Sequence, residues 1–216
     1  MTVHILNQQT SIINQFLSEI RDVVIQKDSM RFRKNMERIG EIMACEISKQ
    51  LDWKEKDVTT PLGIAKVPVL ASQPVLATIL RAGLPLHQGL FNYFDKAENA
   101  FISAYRKHAT DGSFDIHIEY LSSPSLNNKT VLLSDPMLAS GASMVLGYQA
   151  LLKKGNPKHV HIVSVLGSAE GVEYVKNNLP SNTTLWIAAV DAELNSHKYI
   201  VPGLGDAGDL AFGEKE

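Results

Sequence analysis

The stretch LLSDPMLASGAS, residues 132–143, changes character halfway along. An apolar run stops at Asp135 and Pro136, and residues 139–143 are all small. With Thr130 and Val131 in front, it reads as a strand over 130–134 followed by a loop and a helix over 143–154. In parallel α/β sheets, ligands bind beyond the carboxyl ends of strands, where loops lead into helices. Small residues let backbone N–H groups approach an anion, and the helix N-terminus adds its partial positive charge. Asp135, before the loop, is misplaced for phosphate and suited to hydroxyls or a metal. A ligand joining a phosphate to a sugar would use both halves. The lysine-bearing P-loop pattern and the G-x-G-x-x-G fingerprint are both absent. A plain strand-to-helix turn would also explain this stretch, so other strand ends have to decide.

Working outward, PVLATIL (74–80), NAFISAYR ending at Arg106, HVHIVSVL (159–166) and TTLWIAAV (183–190) read as strands. Helical stretches separate them, at RAGLPLHQGLFNYF and 169–178. Buried apolar strands alternating with helices predict an α/β fold with a mostly parallel sheet flanked by helices. FDIHIEYL alternates with period two, and its approach through KHATDGS predicts a two-stranded β-arm. On the N-terminal side, Ile12, Ile13, Phe16, Leu17, Ile20, Val23 and Val24 predict an amphipathic helix capped by Thr10 or Ser11. A second helix follows from about Ser29, carrying Phe32, Met36, Ile39, Met43 and Ile47 on one face. DVTTPLGIAKVPV reads as a hairpin around Pro61-Leu62-Gly63. The expected organisation is one domain over 1–216: a helical layer at about 10–50, a core at about 58–190 and a C-terminal segment at about 191–216.

With 21 basic and 23 acidic residues among 216, the net charge of −2 provides no field toward nucleic acid or membrane, so neither is expected as a partner. Any anion must be held by a local site. The single Cys45 cannot form an internal disulfide or a thiolate metal cage, and it reads as core filler in a cytoplasmic protein. The first ten residues lack a basic segment leading into an apolar one, so no secretory leader is expected. His159, His161 and His197 have no transition-metal spacing and read as exposed or hydrogen-bonded. Ser168 reads as a helix cap, with Glu170 in the first turn.

Three further strand ends carry chemistry. ILRAGLP places Arg81 after a strand with small residues behind it, SAYRKH places Arg106 at another strand end, and YIVPGLGDAGD (199–209) brings three glycines and two aspartates. In their order, ILRAGLP, YR, DPMLASGAS and YIVPGLGDAGD, the chain resembles the uracil phosphoribosyltransferases, over about residues 29–213. That family has a type I phosphoribosyltransferase fold, with N-terminal helices, a β-arm and a C-terminal base-binding hood.

The resemblance implies a pentosyltransferase that moves the 5-phosphoribosyl group from phosphoribosyl pyrophosphate (PRPP) to uracil, giving UMP and diphosphate. Arg81, Arg106 and the loop Asp135, Pro136, Met137, Leu138, Ala139, Ser140, Gly141, Ala142 and Ser143 would bind PRPP. Ile200, Gly205, Asp206 and Ala207 would bind uracil, with Asp206 also reaching the donor. Arg106, Asp135 and Asp206 are the implied catalytic residues. Mg²⁺ would arrive with PRPP rather than in a dedicated cage, and a homodimer or higher homo-oligomer is implied. The arm HATDGSFDIH would cover the donor. The family's loop usually carries threonine and glycine where Ser140 and Ala142 stand, and often a basic residue at Leu210. The alternatives are a phosphoribosyltransferase for another base and a pyrimidine-sensing RNA-binding regulator on the same fold.

Overall fold

The computed structural model describes residues 1–108 and 114–214. Its centre is a sheet built from β4 (Val75–Leu80), β5 (Glu98–His108), β6 (Phe114–Ser122), β7 (Thr130–Ser134), β9 (His159–Ser168) and β10 (Thr183–Asp191). Two short strands complete it, β1 (Thr2–Ile5) at one edge and β8 (Met137–Leu138) beside β9. The order is β1-β10-β9-β7-β4-β5-β6, with β8 on β9, and every pairing is parallel except β5 with β6.

Residues that alternate along a strand face opposite sides of a sheet, so runs apolar on both faces need helices on both. In β7, Leu132 packs into the layer holding α1 (Ile13–Arg21), α2 (Ser29–Ser48) and α3 (Leu84–Tyr93). Its neighbours Val131 and Leu133 pack on the other face, against α4 (Ala142–Leu152) and α5 (Ala169–Asn178). The hairpin β2 (Trp53–Thr60) and β3 (Gly63–Leu70) turns at Pro61-Leu62 and forms a separate exposed ribbon. The chain ends in a small pair, β11 (Glu193–Leu194) and β12 (Ile200–Val201), and the six-residue helix α6 (Ala207–Phe212). No helix among the described residues is long and apolar enough to cross a membrane.

Helix α2 matches its sequence pattern. Asp28 caps it by accepting from the Arg31 N–H at 3.1 Å, and Phe32, Met36, Ile39, Met43 and Ile47 are all buried. Four expectations need correction. Helix α1 has no side-chain cap from Thr10 or Ser11, and it stops at Arg21, leaving Val23 and Val24 exposed. The stop has a local cause: Asp22 accepts from the N–H groups of Val24 and Ile25, which diverts the chain into a tight turn. Cys45 is exposed, because the buried stripe runs through Met43, Ala44 and Ile47 and turns position 45 outward. Strand β5 does not end at Arg106; its antiparallel register with β6 continues to His108, opposite Phe114. The N-terminal strand β1 was not anticipated at all. The tip of the expected arm, 109–113, lies outside the described residues.

Helices α2 and α3 cross in backbone contact. A Cβ on Gly89 would stand 2.0 Å from the Glu37 carbonyl oxygen, and one on Gly40 would stand 2.5 Å from that of Leu86. This contact sets α3, and therefore the 81–83 loop that opens it. Gly89→Ala gains at most about 1 kcal/mol of helix propensity. Against that, overpacking a rigid backbone contact costs typically 1–3 kcal/mol and more where neither side can yield. The variant is expected to unfold at lower denaturant than wild type, by about 2 kcal/mol in an equilibrium urea titration.

Candidate active site

The parallel strands end on one edge, and the loop after β7 leaves from it. Asp135 still donates its N–H to the Val163 carbonyl, and the Pro136 carbonyl accepts from the N–H groups of Val165 and Leu166 at 3.0 and 2.9 Å. The chain then rejoins β9 as β8. Beyond Leu138 the turn is pinned by Ser168. Its hydroxyl donates to the Ala139 carbonyl at 2.6 Å and accepts from the Gly171 N–H at 2.8 Å. Ser168 is therefore the helix cap read from the sequence, and it is also the anchor of the small-residue loop. Nothing larger than glycine fits at 171, where a Cβ would come within 2.2 Å of the Ala139 carbonyl oxygen.

Gly141 takes the left-handed conformation that precedes α4, with φ of 79°. Ala142 is the first helical residue, a position where alanine is favourable and glycine is not needed. The loop therefore places its backbone N–H groups at the start of an eleven-residue helix, the arrangement that attracts anions.

Asp135 stands at the entrance of this loop. It is half-buried and lines the cleft. Burial pushes its carboxyl up to about 7, while a long 3.4 Å hydrogen bond from the Met137 N–H pulls weakly the other way. Such a carboxyl gains from hydroxyl donors that a ligand could bring.

The opposite wall is the C-terminal hood. Asp206 caps α6, its Oδ1 accepting from the N–H groups of Gly208 and Asp209 at 2.8 and 3.0 Å. Gly205 before it has φ of 94°, and open space surrounds its α-carbon, so backbone conformation rather than crowding demands glycine there. Helix α6 is held from outside: Arg33 on α2 donates to the Ala211 carbonyl at 2.7 Å, and Arg81 Nη2 reaches both Asp209 Oδ1 and the Gly213 carbonyl at 3.2 Å.

Between the two walls lies a cleft of about 170 Å³. It brings together Asp135, Met137, Leu138, Ala139, Ser140, Gly141 and Ser143 on one side with Ile200, Gly205, Asp206 and Ala207 on the other. Four expected residues are not on its wall. Pro136 is turned into the sheet by its carbonyl bonds, and Ala142 starts α4. Arg81 bonds to α6 and the chain beyond it, and its buried Nε has no partner among the described residues. Arg106 lies on β5 opposite Ile116; its side chain lies outside what the structure describes.

Lys198 and Tyr199 also line the cleft and were missed. Lys198 has φ of 63° and pairs with Glu170 at 3.3 Å, beside the α5 N-terminus. The signal available was the Asn195–Tyr199 turn, closed by Asn195 Oδ1 accepting from the N–H groups of His197 and Tyr199. The histidines stand elsewhere: His161 is buried and accepts from Trp186 Nε1 at 3.1 Å, and His197 is exposed. No three His, Cys, Asp or Glu side chains gather as a metal cage among the described residues.

The family model described as uracil phosphoribosyltransferase matches residues 7–214. A uracil phosphoribosyltransferase of Porphyromonas gingivalis is 57% identical over 215 residues, covering 100% of both chains. One from Thermococcus gammatolerans is 36% identical, over 95% of this chain and 91% of its own. A solved structure of an Aquifex aeolicus protein superposes with a TM-score of 0.87 at 27% identity, covering 98% of each chain. On a mostly parallel, helix-flanked sheet, with a family model matched over nearly its whole length, the chain belongs to the uracil phosphoribosyltransferase family.

Proposed function

We propose that this protein transfers the 5-phosphoribosyl group of PRPP to N1 of uracil, giving UMP and diphosphate. The observation that carries the reading is the single cleft between a small-residue loop headed by Asp135 and a hood of mainly backbone groups. The loop N–H groups and the α4 N-terminus hold the 5-phosphate. Asp135 accepts from the ribose hydroxyls. Arg81 and Arg106 are assigned to the diphosphate, to which guanidinium groups offer planar, charge-assisted donors. In the transfer, the bond from the anomeric carbon to the diphosphate oxygen breaks with its electron pair on the diphosphate as the bond to N1 forms, and the N1 proton is released to solvent.

Uracil presents acceptor, donor and acceptor across O2, N3–H and O4. Backbone groups near Ile200, Gly205 and Ala207 read that edge, and Asp206 at the cleft edge reaches toward the ribose. The carboxylates of Asp135 and Asp206 are hard oxygen donors on the cleft wall, a set that fits Mg²⁺ carried by the donor's diphosphate and keeping several of its waters. When bound, Mg²⁺ neutralises the departing diphosphate.

Purified protein given labelled uracil, PRPP and Mg²⁺ is expected to form UMP, and to reject cytosine by about 10⁴-fold in kcat/KM, since a backbone N–H facing O4 would meet cytosine's amino group donor to donor. Folded protein that forms no UMP at saturating donor overturns the reading.

Asp135→Asn separates binding from stability. The raised carboxyl favours the neutral form in the ligand-free fold, so its contribution to stability is present below about pH 4 and is lost as pH rises through about 7. At pH 8 the variant is expected to melt higher than wild type without ligand, while kcat/KM for PRPP falls at least about tenfold. Its donor pH profile should also lose the limb near pH 7. A profile and melting point matching wild type would remove Asp135 from the site.

The assembly in this reading is a homodimer, supported by the apolar side chains on the β2–β3 ribbon, where Leu62 is 100% and Ile64 is 72% exposed. Light scattering at micromolar concentration is expected to give twice the chain mass, and a monomer would count against it.

A further inference from the structure

The hood is a short, glycine-rich segment, and what fixes its shape comes from far away in the chain. Arg21, the last residue of α1, makes a two-pronged contact with Asp191 at the end of β10, with Nη1–Oδ2 at 2.7 Å and Nη2–Oδ1 at 2.8 Å. The pair closes on one glycine. Arg21 Nη1 also donates to the Gly203 carbonyl at 3.0 Å, and the Gly203 N–H donates to Asp191 Oδ2 at 3.0 Å. Both backbone polar groups of Gly203 are therefore consumed by this ion pair. Gly203 has no freedom to drift: its φ is 55°, and a Cβ there would stand 2.1 Å from the Ile200 carbonyl oxygen. The side chains are 24% and 9% exposed, so water competes poorly for these bonds.

Gly203 lies midway between Ile200 and the Gly205–Ala207 stretch, all of which line the cleft. We propose that Arg21 and Asp191 are positioning residues for base recognition, locking the Gly203 turn so that Ile200 and the Gly205–Ala207 backbone stand at the spacing the base edge requires. This rests on the reading that the hood holds uracil. Gln26, with its amide oriented to donate, adds a second brace by reaching the Leu204 and Ile20 carbonyls, both at 2.9 Å. Neither Arg21 nor Asp191 lines the cleft, so both act through the hood rather than on substrate.

The test uses D191N, which keeps the shape and removes the charge, together with R21M and R21K. Hydrogen exchange is read over 200–212 in ligand-free protein, beside KM for uracil, KM for PRPP and kcat. In D191N and R21M, exchange over that stretch should rise at least about tenfold while β4, β7 and β9 keep their protection. KM for uracil should rise about tenfold or more, and by more than KM for PRPP rises or kcat falls, because only Asp206 among the displaced groups reaches the ribose and a misplacement near 1 Å can cost up to 10²-fold. R21K, keeping charge without the fork, should fall between R21M and wild type.

Unchanged exchange and uracil KM overturn the proposal. So do parallel losses in both KM values and kcat, or collapse of the whole fold in both D191N and R21K, either of which makes the pair a general stability element. Absence of uracil turnover in wild type defeats the proposed function instead, and the exchange arm then still decides whether the pair orders the hood.

Discussion

Everything at the cleft hangs from β9. This ten-residue strand pairs with β7 as far as Ser134, lets the chain bulge at Asp135 and Pro136, and takes it up again as β8. The interruption lifts one carboxylate out of the ladder without freeing the backbone, because the carbonyl of Pro136 is still claimed by two β9 amides. At its far end β9 supplies Ser168, whose hydroxyl serves the α5 amide and the Ala139 carbonyl together. A loop of small residues would otherwise have the most backbone entropy to lose on ordering. Here its exit is fixed by a rigid strand before any ligand arrives, which is the condition for binding an anion with backbone groups at little cost.

The hood is built on the opposite principle. Helix α6 has six residues, too few to be stable by itself. Its ends are satisfied by Asp206 within the segment and by Arg33 and Arg81 from outside it. Ala207 and Ala211 add apolar contact with the α1–α3 layer. The N-terminal helices therefore support the hood side of the cleft from behind, although no α1 or α2 side chain lines it. Removing charged partners from such a network exposes or strands their mates, so its effects reach further than each contact suggests.

Much of this was legible in the chain. The central strands are apolar on both faces, so their runs stand out, and α2 carries its stripe and its start to the residue. The loop and hood were legible because acids and glycines at strand ends have few structural reasons to be there. What was not legible depends on distant partners. Strand β1 is four residues of mixed polarity, and only its pairing with β10, some 180 positions away by number, makes it a strand. Arg81 could be placed at a strand end, but not the pull of Asp209 that turns it toward α6. Arg21 and Asp191 carry no signal in the sequence, and only the fold brings them within 2.8 Å.

The two departures of the loop from the family's usual residues come out differently once the backbone is seen. Three neighbouring positions, 140–142, carry different demands. Only Gly141 has a left-handed φ, and a Cβ on it would also come within 2.9 Å of the Gly171 carbonyl oxygen. Glycine there is required twice over, by conformation and by space. Ser140 has no such constraint, and it keeps a hydroxyl on the cleft wall. Ala142 begins a helix, where it is preferred over glycine by roughly 1 kcal/mol. Alanine at 142 therefore stiffens the start of α4 while leaving the left-handed residue untouched. The loop's tolerance for change is set by which single residue bears the turn.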